Sequence, residues 1–201
     1  MFDCDGVLFD SRQANVLFYN DLLRRFGRPP MGEADIDQVH VRTAADSVAY
    51  LFRDDPRLAE AERLRPSLDY TPYISRMVPE PTARPALERL RLLCRLAVCT
   101  NRTNTIGAVL AHHGLAPYFD LVVSALDVPR PKPYPDQLVR ALAVLGCPAQ
   151  AALYVGDAAV DMEAARLAGV PFVAYRNRGL TAAAHIERLD EVCALVQSPP
   201  A

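Results

Sequence analysis

The feature that most constrains this chain is a unit repeated through its second half. A short apolar run without polar alternation is followed each time by a helical pattern. Arg95-Leu96-Ala97-Val98-Cys99 precedes a helix predicted over 104–113 and closed by Gly114. Leu121-Val122-Val123 precedes a helix over 135–145, with Pro135 in its first turn and Gly146 at its end. Ala152-Leu153-Tyr154-Val155 precedes a helix over 159–167 with Gly169 beyond it, and Val170 to Tyr175 forms a fourth run. Strands that are apolar on both faces lie in a parallel sheet covered by helices on both sides. The expected class is therefore α/β with a parallel sheet.

The first half reads differently. Phe2-Asp3-Cys4 looks like the end of a strand, and from Ser11 to Met77 there are only helical patterns. Val16, Leu17, Leu22, Leu23 and Phe26 make one apolar stripe, and Thr43 is placed to cap a helix carrying Val48, Tyr50, Leu51 and Phe52. Further helical patterns run over 56–64 and 70–77, before the proline-rich stretch Val78-Pro79-Glu80-Pro81-Thr82. The simplest organisation is a core of residues 1–14 and 79–201 interrupted by a helical insertion, residues 15–78. The connections near 11–15 and 78–82 are then its hinges.

Composition excludes several classes. The chain is 51% hydrophobic and 23% charged with a formal charge of −2, so no overall basic field points to nucleic acid or to a membrane surface. There is no apolar run of about 18 residues, as a spanning helix needs, and no layout of a secretory signal. The five cysteines are odd in number and lack the C-x-x-C spacing. They read as reduced core residues of a cytoplasmic protein, and the four histidines show no metal-ligand spacing. One detail stands apart. Among 22 basic residues the only lysine is Lys132.

In an open parallel sheet, ligands bind beyond the carboxyl ends of the strands. The residues that follow each predicted strand are Asp3 and Asp5, then Thr100 and Asn101, then a loop with Lys132, then Gly156-Asp157 and Asp161. Several carboxylates gathered at one edge repel one another unless a cation sits among them. Oxygen ligands without His or Cys suit Mg2+, which keeps waters and favours a phosphate ligand. Thr100 and Lys132 are of the right type to hold that phosphate. An aspartate facing phosphorus is a competent nucleophile, and a second carboxylate two residues on can move the proton of the leaving group and of water.

Asp3-Cys4-Asp5-Gly6-Val7-Leu8, Thr100-Asn101, Lys132-Pro133 and Gly156-Asp157 with Asp161, in that order, resemble the four motifs of the haloacid dehalogenase superfamily. The resemblance covers nearly the whole chain and is to the branch with a small α-helical cap inserted after the first motif. It implies a Rossmann-like core and a Mg2+-dependent phosphatase acting on a small phosphorylated metabolite, similar to phosphoglycolate phosphatases. It also implies Asp3 as nucleophile and Asp5 as general acid and base. Mg2+ would be held by the side chains of Asp3 and Asp157 and the main-chain carbonyl of Asp5. Asp161 would bind the metal directly or through water, or else steer Lys132. Thr100, Asn101 and Lys132 would hold the phosphoryl group, and the cap would set specificity, with Arg42 at the start of a cap helix touching substrate. Arg102 is a further candidate for the pocket.

Two departures stand out. Only Met1 and Phe2 precede Asp3 where family members have a longer strand, which predicts either an abnormally short strand or further residues upstream. Ala158 stands where serine is common. Asp10 and Ser11 are expected to cap the first cap helix. The alternatives are a phosphomutase of the β-phosphoglucomutase kind and a catalytically weak regulatory or binding homologue. A cap without lysine excludes the Schiff-base chemistry of a phosphonoacetaldehyde hydrolase. Oligomeric state is not legible.

Overall fold

The computed structural model describes residues 1–40 and 42–197; Val41 and the last four residues of the expected core stretch lie outside the described residues. In chain order, β1 (Phe9–Asp10) is followed by α1 (Arg12–Arg25), α2 (Glu33–His40), α3 (Ala44–Leu51), α4 (Leu58–Leu64) and α5 (Thr71–Ile74). Then come β2 (Val78–Pro79), α6 (Ala83–Leu90), β3 (Ala97–Cys99), α7 (Ile106–His112) and β4 (Leu121–Val123). The chain continues through α8 (Asp136–Leu145), β5 (Tyr154–Gly156), α9 (Ala159–Ala168), β6 (Phe172–Tyr175), β7 (Ala184–Ile186) and α10 (Val192–Gln197). Two compact units result, Met1–Asp10 with Val78–Ala201, and Ser11–Met77.

The first unit is built on parallel strands. β3 pairs β4, and β5 pairs β6, which pairs β7, all parallel. Phe2 closes the gap between the two groups. It bridges Val98 on one side and Val155 on the other, through bonds from Phe2 N to Ala97 O and from Cys99 N to Phe2 O, both 2.9 Å. Asp3 N donates to Val155 O at 2.9 Å, and Val155 N to Met1 O at 3.0 Å. A single bridging residue thus places Asp3 at the centre of the sheet. Every residue of β3, β5 and β6 is buried, the physical counterpart of runs without polar alternation. The predicted α/β class therefore holds.

Several local expectations change. The stretch 78–82, expected as a hinge, begins with β2, which pairs antiparallel with β1 in the register Phe9↔Pro79 and Asp10↔Val78. Asp10 therefore lies in a strand, and the N-cap position of α1 falls to Ser11. Ser11 makes no side-chain cap bond there; its hydroxyl accepts from Asn15 Nδ2 at 3.3 Å. Cys4, Cys99 and Cys193 are buried, whereas Cys94 is exposed and Cys147 half-buried, because both lie in connections after the ends of α6 and α8 and outside the apolar runs. β7 and α10 follow the last predicted run.

The helical unit has its own core. Phe18 packs against Tyr70 and Tyr73 with ring centroids 5.2 and 5.8 Å away, and Phe26 meets Phe52 at 5.0 Å. Thr43 caps α3 as expected, its hydroxyl accepting from Asp46 N at 3.2 Å. Arg42, beside it, donates to Gln38 O at 2.7 Å and stacks over the Tyr50 ring at 4.7 Å. Among the described residues no helix is long and apolar enough to cross a membrane.

Candidate active site

The site is assembled at the carboxyl edge of the sheet, where each strand hands one or two polar residues to the loop after it. After Phe2 the chain turns sharply. Leu8 N and Phe9 N both donate to Cys4 O, and Gly6 N donates to Phe9 O at 2.8 Å. This tight loop leaves Asp3 buried and Asp5 half-buried on either side of Cys4. Gly6 has φ +78°, and a Cβ placed on it would lie 2.0 Å from Asp157 Oδ2. The glycine is therefore required twice, by its left-handed backbone and by the approach of Asp157. Gly6→Ala is expected to cost about 1–3 kcal/mol of stability and to displace the Asp157 carboxylate. A thermal melt with and without divalent metal reads both effects; an unchanged melt and an unchanged metal response would contradict the assignment.

Lys132 sits at the centre. Its side chain is 1% exposed, and its Nζ donates to Asp3 Oδ1 at 2.7 Å, to Asp161 Oδ1 at 2.7 Å and to Tyr154 Oη at 2.8 Å. Burial alone would lower the pKa of this ammonium, but the two carboxylates outweigh burial and hold it above its ordinary value. The loop that carries it is tied down through its main chain. Asn101 Nδ2 donates to Lys132 O at 3.0 Å, and Lys132 N donates to Asn101 Oδ1 at 3.1 Å and to Gln137 Oε1 at 3.1 Å. Gln137 Nε2 in turn donates to Thr100 O at 2.6 Å. Asn101 is thus engaged with the lysine loop by both ends of its amide.

Asp161 enters from the first turn of α9 and is fully buried. Besides Lys132, its Oδ1 lies 2.9 Å from Tyr154 Oη, and its Oδ2 accepts from Ala158 N at 3.1 Å. Asp161 thus contacts Lys132 directly and also belongs to the carboxylate cluster with Asp3 and Asp157. It enters this position because Gly156 leaves room: a Cβ there would come within 2.4 Å of the Asp161 Cβ. Asp157 is held through its main chain, where its carbonyl accepts from Asn177 Nδ2 at 2.8 Å.

Carboxylate oxygens of Asp3, Asp157 and Asp161 lie within 4.8 Å of one another. Burial, followed by repulsion from neighbouring carboxylates, raises the pKa of Asp157 to about 8. Asp3 is raised as well, by burial first, although Lys132 pulls it the other way. Four carboxylates, with Asp5 included, thus face one ammonium and the guanidinium of Arg102, which donates to Asp5 Oδ1 at 2.8 Å. An excess of buried negative charge on oxygen donors alone is the environment a hard divalent cation fits.

The structure therefore gathers Asp3, Asp5, Thr100, Asn101, Lys132, Asp157 and Asp161 at one edge, while Arg42 belongs to the helical unit. Arg102 reaches the site through Asp5, and Thr100 is buried, its Oγ1 accepting from Arg102 N at 3.1 Å. Three partners were not identified from the sequence. Tyr154 reads as one more apolar strand residue, Gln137 as one more position in a helix, and Asn177 lies in a loop after the last predicted run. The available signal for Tyr154 was the phenol itself, since a hydroxyl in a buried strand needs a polar partner.

A family model described as haloacid dehalogenase-like hydrolase matches residues 1–175. A phosphoglycolate phosphatase of Rhodobacter capsulatus is 34% identical over 97% of this chain and 93% of its own length. A phosphoglycolate phosphatase of Chromobacterium violaceum is 31% identical over 86% of this chain and 82% of its own. The crystal structure of a haloacid dehalogenase superfamily hydrolase from Geobacter sulfurreducens matches with a TM-score of 0.83 and 37% identity, covering 97% of this chain and 94% of that one.

Proposed function

The chain belongs to the haloacid dehalogenase-like hydrolase family, and on that premise we propose that it is a Mg2+-dependent phosphatase of a small phosphorylated metabolite, working through an aspartyl-phosphate. The observation that carries this reading is the Asp3 carboxylate, held at 2.7 Å by the only lysine and facing Asp157 at the sheet edge. The names of its relatives make 2-phosphoglycolate the first substrate to test.

The residues divide the work. An Asp3 carboxylate oxygen attacks phosphorus as the bond to the leaving oxygen breaks. Asp5 gives its proton to that oxygen, then takes a proton from the water that attacks the aspartyl-phosphate and frees inorganic phosphate. Arg102, on Asp5 Oδ1, fixes the direction of this carboxylate. Thr100 accepts from Arg102 N, so its own hydroxyl hydrogen serves a phosphoryl oxygen. Lys132 orients Asp3 and offsets the charge that gathers on the transferring group. Asn101 and Gln137 keep the lysine loop in place. Asp3, Asp157 and the main-chain carbonyl of Asp5 would hold Mg2+, which when bound screens the repulsion between nucleophile and phosphoryl oxygens.

Phosphate release from 2-phosphoglycolate, p-nitrophenyl phosphate and a panel of sugar phosphates tests the reading. Turnover is expected with Mg2+, to vanish in excess EDTA and to return when Mg2+ is added back. No metal-dependent release from any ester would overturn it.

A further inference from the structure

We propose that Tyr154 is a positioning residue for the nucleophile, acting through Lys132: its hydroxyl completes the cage that fixes the ammonium against Asp3. The inference rests on the reading of Asp3 and Lys132 above and extends it to a residue of the strand interior.

An ammonium carries three hydrogens, and Lys132 has three acceptors, Asp3 Oδ1, Asp161 Oδ1 and Tyr154 Oη, all within 2.8 Å. The side chain is 1% exposed, so with only the two carboxylates the third N–H would point into a dry interior. The phenol accepts it. Tyr154 then has one hydrogen of its own, and two acceptors stand in reach, Asp161 Oδ1 at 2.9 Å and Cys99 O at 3.0 Å. One hydroxyl therefore links the lysine, the helix α9 carboxylate and the end of β3.

Stiffness explains why a tyrosine serves here. A lysine has four rotatable bonds and a compact head that swivels between acceptors. Tyr154 has two, and its ring is clamped in a fully buried strand beside Phe172, centroids 6.4 Å apart. Its oxygen is thus a fixed point in the cage. The direction of the Lys132 N–H toward Asp3 sets where the attacking carboxylate points, and a misplacement near 1 Å at such a group costs about 10²-fold in rate. Tyr154 is fully buried, its hydroxyl engaged with Lys132, Asp161 and Cys99.

Tyr154→Phe removes one oxygen and keeps the ring. The expected result is a kcat lower by roughly 10- to 100-fold, the loss of one hydrogen bond to a charged group, with KM within about twofold and an unchanged circular dichroism spectrum. The second readout needs no substrate. Lys132 is the only lysine, so protein labelled with lysine carrying 15N at the ζ position gives one ammonium signal. That signal should shift, and its hydrogens exchange faster with water, in Tyr154→Phe. Phe172→Leu, which loosens the same ring without touching the hydroxyl, should leave the signal in place. A kcat within twofold of wild type, an unmoved lysine signal, or an equal response to Phe172→Leu would each overturn the proposal. A protein inactive on every phosphate ester would overturn the phosphatase reading instead, and the lysine signal would still decide the contact.

Discussion

Replacing Asp3 by asparagine is expected to abolish turnover while leaving a folded protein. The substitution keeps the shape of the side chain and removes only its charge and nucleophilicity. Without an oxygen able to form the ester with phosphorus, kcat should fall by about 10³-fold or more. The effect on stability should be small because two terms oppose. Asp3 is destabilised as an anion by burial and by Asp161 and Asp5, which asparagine relieves. It also accepts from Lys132 at 2.7 Å, which the asparagine carbonyl still does, more weakly. The melting temperature is expected to stay within about 2–4 °C of wild type, the span of roughly 1 kcal/mol in a chain of about this length. Phosphate release and a thermal melt on the same sample test both halves. More than a tenth of wild-type activity in Asp3→Asn would remove Asp3 as the nucleophile.

Lys132→Arg is the second large effect, and the tertiary structure changes what it should do. Read from the sequence, the substitution conserves charge and costs only activity, because a planar guanidinium cannot replace a compact ammonium between nucleophile and phosphate. The cage adds a second cost. Lys132 is enclosed by Asp3, Asp161 and Tyr154 with 1% of its side chain exposed, so the larger guanidinium overpacks a filled space. Such insertions cost about 1–3 kcal/mol. We expect a loss of at least about 10²-fold in kcat, as removal of one preorganised donor gives, together with a lower melting temperature. Lys132→Ala should be worse for stability, by about 3–5 kcal/mol, because it strands Asp161 as a buried carboxylate without its counter-charge. Lys132→Arg with wild-type kcat and an unchanged melt would show that the ammonium is not held as described.

The parts of the fold that were legible share a cause. β3, β5 and β6 lie inside a sheet covered on both faces, so burial wrote itself into uninterrupted apolar runs. The helices between them end where their glycines and caps said they would, as at Gly146, the left-handed C-cap of α8. β1 and β2 left no such trace. They are two residues long and hold together by main-chain pairing, which places no demand on side-chain type. β7 falls outside the last apolar run because it is half-buried, with His185 exposed between Ala184 and Ile186.

The candidate site divides in the same way. Asp3, Asp5, Thr100, Lys132, Asp157 and Asp161 could be picked out because each is a polar residue in the connection that follows a strand or in the first turn of the helix after it, and the topology of a parallel sheet sends such connections to one edge. Sequence alone therefore determined the class of fold, the edge that carries the chemistry and the residue types gathered there. Only the tertiary structure decided how they share the work. It paired Asp161 with Lys132, turned Asn101 to the lysine main chain, set Arg102 on Asp5 and brought Tyr154 to the ammonium. The physical reason is that position along the chain limits which side chains can meet. Which donor takes which acceptor is settled by distance and burial, since leaving an N–H unpaired away from water is costly.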